Sequence, residues 1–144
     1  MNPTIDKFGY PASLIREYDH WVVLLRPAQV TLGALVLAAK SDAKAYSGLP
    51  PEAFAEQAQV VRHIEQALSA FCAYEKINYL MLMMVDREVH FHVIPRYSVA
   101  RTCAGIEFPD HGWPGVPDLA KSVAPTGDLA HRIREPLVIF FANL

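Results

Sequence analysis

The chain has 144 residues, 52% of them hydrophobic, and a formal net charge of -2, which suits one domain with a sizeable core. Its scattered Lys and Arg form no basic stripe and exclude a long nucleic acid as partner. Two cysteines, Cys72 and Cys103, are too few for a secreted disulfide framework and point to a reducing cytoplasm. The start MNPTIDKFGYPAS lacks a basic stretch followed by an apolar one, and no apolar run approaches the roughly 20 residues of a membrane span, so a soluble protein without a membrane partner is expected.

After a leader punctuated by Pro and Gly, Ser13 to Leu25 reads as two short strands around a polar break at Tyr18, Asp19 and His20, with Trp21 in the core. A loop through Arg26 and Gln29 leads past Gly33 into a third strand, Ala34 to Ala38. Gly48 to Glu52 resembles a helix entry, and apolar residues at Phe54, Ala58, Val61, Ile64, Leu68 and Phe71 recur in steps of three and four. That spacing predicts an amphipathic helix from Pro51 to Tyr74 with His63 on its polar side. Asn78 opens NYLMLMMV, apolar on both faces and expected to be a central strand. The short Asp86-Arg87 link turns it back, antiparallel, into the run EVHFHVIPR, Glu88 to Arg96. Beyond Tyr97 the many Gly and Pro residues predict a loop-rich segment wrapping the sheet, up to an apolar end at Leu137 to Phe141. The order β-β-β-α-β-β makes an α+β fold, a mainly antiparallel sheet with its helix on one face.

The run EVHFHVIPR carries the chemistry. Strand side chains alternate between faces, so Glu88, His90 and His92 should look one way while Val89, Phe91 and Val93 pack the other. Three readings stay open on the residues alone. The histidines are a surface or hydrogen-bonded pair; or Glu88, His90 and His92 hold a metal through two imidazoles and a carboxylate; or a neutral imidazole attacks phosphorus while a bond at its other nitrogen fixes the tautomer. The metal reading lacks a placed fourth ligand, since His111 and His131 fall in loops.

HFHVIPR resembles the signature of the histidine triad superfamily, HxHxHxx, which in many members is followed by Pro-Arg. The long preceding helix, the asparagine opening the strand before the motif, and the strand-loop-Gly-strand stretch from Leu24 to Leu37 are also similar to that family. The resemblance spans about residues 13–97, with 98–144 as a C-terminal extension of one domain. It implies a five-stranded sheet with one long helix, and an enzyme that hydrolyses or transfers nucleotides through a nucleotidyl-histidine intermediate. His90 matches the nucleophile, His92 the last triad histidine on phosphate, and Asn78 the amide near the leaving group. Arg26 and Gln29 match the loop around base and ribose. Arg96 is placed to reach phosphate or a surface acid, and Trp113 resembles a C-terminal aromatic that covers the site in some members. The implied partner is a small nucleotide such as a mononucleotide derivative or diadenosine tetraphosphate, with no cofactor and no metal, in a two-fold homodimer.

The departures from the pattern bear on activity. Glu88 stands in the first histidine's place, where an ionised carboxylate repels phosphate unless it orients an imidazole or raises its pKa. Ala34 follows Gly33 where many members have Gly-His, and no small hydroxyl residue lies just ahead of the motif to protonate a leaving group.

Overall fold

The computed structural model describes residues 1–144. Its main sheet contains β1 (Leu14–Glu17), β2 (Trp21–Leu25), β3 (Leu35–Ala39), β4 (Lys76–Leu80) and β5 (His90–Arg96), in the spatial order β1-β2-β3-β5-β4 with every pair antiparallel. The α+β class, the five strands and the long helix agree with the sequence reading. β4, however, is an edge strand. It stops at Leu80, and the half-buried or exposed residues that follow carry no ladder.

Three helices accompany the sheet: α1 (Pro3–Lys7), α2 (Pro51–Cys72) and α3 (Gly127–Ala142). α2 ends two residues earlier than the spacing suggested, because Ala73 adopts the left-handed conformation at the C-cap. Its buried stripe is Ala53, Val60, His63, Ile64, Ala67 and Leu68, while Phe54 is exposed and leans on Tyr46. His63 is therefore on the buried side, where its Nδ1 meets the Tyr18 hydroxyl at 3.0 Å. Burial pushes its pKa down. This stripe packs on Trp21, Val23, Leu35, Leu37 and Val93, and Trp21 donates its indole N–H to Ala53 O at 2.8 Å.

The segment expected to be loop-rich is more ordered than its Gly and Pro content implied. A hairpin pairs β6 (Arg101–Cys103) with β7 (Ile106–Phe108) through Ala104 and Gly105, both at positive φ, which is the turn that continues strand twist. α3 buries Ile133, Leu137 and Phe141 at helical spacing in the same core as α2. Pro136 lies inside this helix, where a proline is ordinarily a breaker. It has no N–H for the Arg132 carbonyl, toward which the Cys103 thiol points at 3.9 Å.

α1 covers the opposite face of the sheet. Asn2 caps it, accepting from Ile5 N at 3.0 Å with Pro3 in the first turn, and the Asn2 amide ties the cap to Ala39 O and Ser41 O. Ile5 then fills a small core with Val22, Leu24, Val36 and Ala38, so β2 and β3 are buried on both sides. A five-residue helix is too short to show periodicity, so from sequence alone this segment is only a leader punctuated by Pro and Gly. No helix is long and apolar enough to cross a membrane.

Candidate active site

His90 and His92 lie on the α1 side of β5, opposite Ala38 and Val36 of β3. On that side a cavity of about 280 Å³ is lined by Lys7, Phe8, Arg26, Met83, Asp86, His90 and His92 among others. The Phe8 ring stands 5.6 Å from His90 and 5.7 Å from His92, centroid to centroid, and the imidazoles meet edge to face at 5.2 Å.

The partners of the two rings fix their tautomers. His90 Nδ1 lies 2.8 Å from the Glu88 backbone carbonyl, and a carbonyl only accepts, so Nδ1 carries the proton and Nε2 keeps its lone pair. His90 Nε2 has no hydrogen-bond partner, and no buried side-chain nitrogen is left unpaired, so Nε2 opens to the cavity. His92 Nδ1 faces the Arg26 Nε–H at 3.1 Å. A guanidinium only donates, so His92 accepts there and carries its proton on Nε2. Burial first, then the charges of Arg26 and His90, push the His92 pKa down to about 4. The site thus pairs a lone-pair nitrogen with a neutral N–H donor and a cation.

Glu88 faces α1 as the two histidines do, but its carboxylate is bonded there rather than to the imidazoles. β5 begins at His90, and the Glu88 carboxylate turns away from the imidazoles. The Thr4 hydroxyl donates to its Oε1 at 2.7 Å, and Lys44 Nζ is 3.7 Å from Oε2. The Thr4 bond holds its pKa below the usual range. The expectation that this carboxylate orients an imidazole or raises its pKa is corrected: the main-chain carbonyl does the orienting, and the His92 pKa is lowered. The negative charge is also compensated before a phosphate could meet it. With Glu88 so directed, the two-imidazole, one-carboxylate metal arrangement does not form, and no three His, Cys, Asp or Glu side chains converge elsewhere.

Of the other residues singled out, only Arg26 reaches the histidines. Gln29 is buried inside its own loop, donating to Arg26 O and Ala34 O and accepting from Gly33 N, so it shapes the loop and offers nothing to a ligand. Asn78 of β4 and Arg96 lie toward the far end of β5, Asn78 opposite Ile94 and Arg96 about 13 Å along the strand from His92 at ordinary strand rise. There Arg96 grips Asp110 through Nε and Nη2 at 2.7 and 3.1 Å and donates Nη1 to Asn78 Oδ1 at 2.9 Å. Arg96 is thus engaged by a buried acid, neither by phosphate nor by a surface one. Trp113 stands at the same end, with Lys76 Nζ 5.0 Å from its ring centre, and does not cover the histidines of its own chain.

Thr4, Lys7, Phe8, Lys44 and Asp110 went unnoticed in the sequence. The Asn2-Pro3 cap was a usable signal for α1, but nothing local announces that Thr4 would meet a residue 84 positions away.

Solved structures of the same shape exist. A histidine triad protein from Sinorhizobium meliloti superposes with a TM-score of 0.73 at 21% identity, covering 100% of this chain and 96% of its own. One from Bradyrhizobium japonicum gives 0.71 at 15% identity, covering 98% and 96%. A hypothetical histidine triad nucleotide-binding protein from Sulfolobus tokodaii gives 0.67 at 18% identity, covering 92% and 85%. No family model matches the sequence, and no curated protein matches it either. The fold is that of the histidine triad proteins.

Proposed function

We propose that the chain is a nucleotide-binding phosphohydrolase or nucleotidyl transferase that acts at the α-phosphorus of a dinucleoside polyphosphate or mononucleotide derivative through His90. The observation that carries this is the tautomer: His90 donates Nδ1–H to the Glu88 carbonyl and leaves Nε2 open to a cavity. Nε2 bonds to phosphorus as the bond to the leaving group breaks, and the Glu88 carbonyl stabilises the charge that develops on the ring. Arg26 and His92 Nε2–H donate to the non-bridging oxygens. Water then attacks phosphorus, the N–P bond breaks, and a nucleoside monophosphate leaves. Polyphosphate leaving groups fit best, because they depart without needing a proton from a neighbouring hydroxyl. The nucleotide binding named for the Sulfolobus tokodaii relative points the same way.

Incubation with α-labelled diadenosine tetraphosphate and acid-sensitive trapping tests the step. Label on wild type and none on His90→Ala is expected; equal turnover by His90→Ala overturns the mechanism. A second reading, a nucleotide sensor with little turnover, draws on the Phe8 ring set against both imidazoles and on Glu88 in the first triad position. Calorimetric binding of adenosine monophosphate without any hydrolysis of the tetraphosphate would favour it.

The working unit in this proposal is a homodimer joined along the open edges of two β4 strands. Antiparallel pairing would bring the Lys76 and Trp113 corner of one chain toward the Leu80 and His92 end of its partner. Sedimentation at micromolar concentration distinguishes dimer from monomer.

A further inference from the structure

A second cavity adjoins the histidine site. It measures about 380 Å³ and lies between the turn from α1 to β1, the end of β2 at Leu25 with Arg26 and Pro27 after it, and the first two turns of α3. Phe8 and Arg26 line both cavities, so a ligand whose phosphorus faces His90 has this space for its remaining atoms. The cavity is preformed, because its α3 wall is tied down from several sides. Gln29 and Val123 exchange backbone bonds at 2.8 and 3.1 Å, Arg134 Nε donates to Leu14 O at 2.7 Å, and Arg16 Nη1 donates to Phe141 O at 2.7 Å.

The charge of the lining is one-sided. Arg26, His131 and Arg134 face the cavity, and no Asp or Glu does. Arg26 engages Nε and Nη1, and Arg134 engages Nε, so each guanidinium keeps an Nη2 with no hydrogen-bond partner. Glu135 stands outside the lining, half-exposed, 4.0 Å from Arg134 Nη1 and 3.9 Å from His131 Nε2. Asp128 is exposed and turned to Arg132 at 3.8 Å. The α3 N-terminus has no side-chain cap, and Gly127 and Ala130 of its first turn border the cavity, which adds a positive dipole end to the same space.

This pattern separates two kinds of ribose. A free diol has hydroxyl hydrogens to donate, and nucleotide sites meet it with a carboxylate. A ribose phosphate offers only acceptor oxygens, and sites meet it with arginine. Resting on the nucleotide reading above, we propose that this cavity is a ribose-phosphate site, and that the chain takes nucleotides carrying a 2′- or 3′-phosphate besides the 5′-phosphoryl that meets His90. Arg26 serves both ends of such a ligand, bridging His92 and the second phosphate, while Arg134 and His131 belong to the second phosphate alone.

Calorimetry on the full chain at low salt, with adenosine 5′-monophosphate, adenosine 2′,5′-bisphosphate and adenosine 3′,5′-bisphosphate, tests the assignment. One bisphosphate is expected to bind at least about ten-fold tighter than the monophosphate, the scale of one or two charge-assisted bonds. Arg134→Gln should shrink that advantage to less than about three-fold, with thermal melting to confirm the fold. If Arg134→Gln does not fold, His131→Ala, at a largely exposed side chain, carries the same comparison with a smaller loss. Equal binding of all three nucleotides overturns the ribose-phosphate site and leaves the proposed function standing. So does a bisphosphate advantage that survives both substitutions. Failure of every nucleotide to bind overturns the functional reading itself, and this site with it.

Discussion

The two ends of β5 carry polar side chains on one face of one strand, yet they treat hydrogen bonding in opposite ways. At the Arg96 end the guanidinium donates to both the Asp110 carboxylate and the Asn78 carbonyl oxygen, and the side chains of Arg96 and Asp110 are only 4% and 1% exposed. At the His90 end each imidazole has one nitrogen engaged by the protein, and the other is left for something else. The saturated end is a clamp between the C-terminal segment and the sheet; the unsaturated end is where chemistry can occur. Polarity in a strand face does not separate the two. Leftover bonding capacity beside a cavity does.

Substitutions at either end test this contrast. The largest effect belongs to His90→Ala, which should lower turnover of diadenosine tetraphosphate by at least about 1,000-fold while leaving the melting temperature within a few degrees. A matched loss of stability would move His90 to the structural side. At the other end, Asp110→Ala strands a buried guanidinium and should cost about 3–5 kcal/mol in urea unfolding, with turnover per folded molecule largely retained. If stability hardly changes, the clamp is not one.

Arg26→Ala comes next. Loss of its charge and its donor hydrogen should reduce turnover by about 100-fold. The His92 pKa should move up from about 4 toward its ordinary value, as read by NMR titration, though burial, the larger cause, remains. The sign of the linked stability follows. An unfolded His92 takes up a proton below about pH 6.5 whereas the folded one stays neutral to about 4, so this residue weakens the fold as pH falls through that window, by up to about 1.4 kcal/mol per pH unit. Above the window it is neutral in both states and has no such effect. Arg26→Ala should therefore narrow the window, and an unchanged acid unfolding profile would show that the Arg26 charge does not act on His92.

The smallest effect expected is at Thr4. Thr4→Val removes the hydroxyl that pins the Glu88 carboxylate and should loosen the carbonyl that holds His90 Nδ1, lowering kcat by about 3- to 10-fold with little change in KM. Thr4→Ser should restore it. Nitrogen chemical shifts of His90 report the tautomer directly, and a mutant that keeps the wild-type shifts while losing activity would break the link.

Local periodicity made much of the fold legible. Alternation marked the face of His90 and His92, three- and four-residue steps marked α2, a continuous apolar run marked β3, and strand-suited residues around a polar break marked β1 and β2. It failed where a neighbour elsewhere in the chain sets the outcome. His63 reads as polar, but the Tyr18 hydroxyl makes its burial tolerable. The Gly and Pro residues beyond Tyr97 read as loop, but packing of Ile133, Leu137 and Phe141 carries α3 even through Pro136. NYLMLMMV reads as a central strand, though its first residues pair on one side only and the rest leave the ladder.

By itself, then, the sequence determined which face of β5 is polar, that an HxH pair sits on it, and that one long helix backs the sheet, because backbone repeat and side-chain direction are local properties. Only the tertiary structure decided that Glu88 turns to Thr4 while its carbonyl holds His90, that burial and then Arg26 push the His92 pKa down, and that Asn78, Arg96 and Trp113 lie at the other end. Those outcomes are choices among hydrogen-bond and charge partners as much as 84 residues apart, and burial, which makes each choice binding, exists only once the elements have packed.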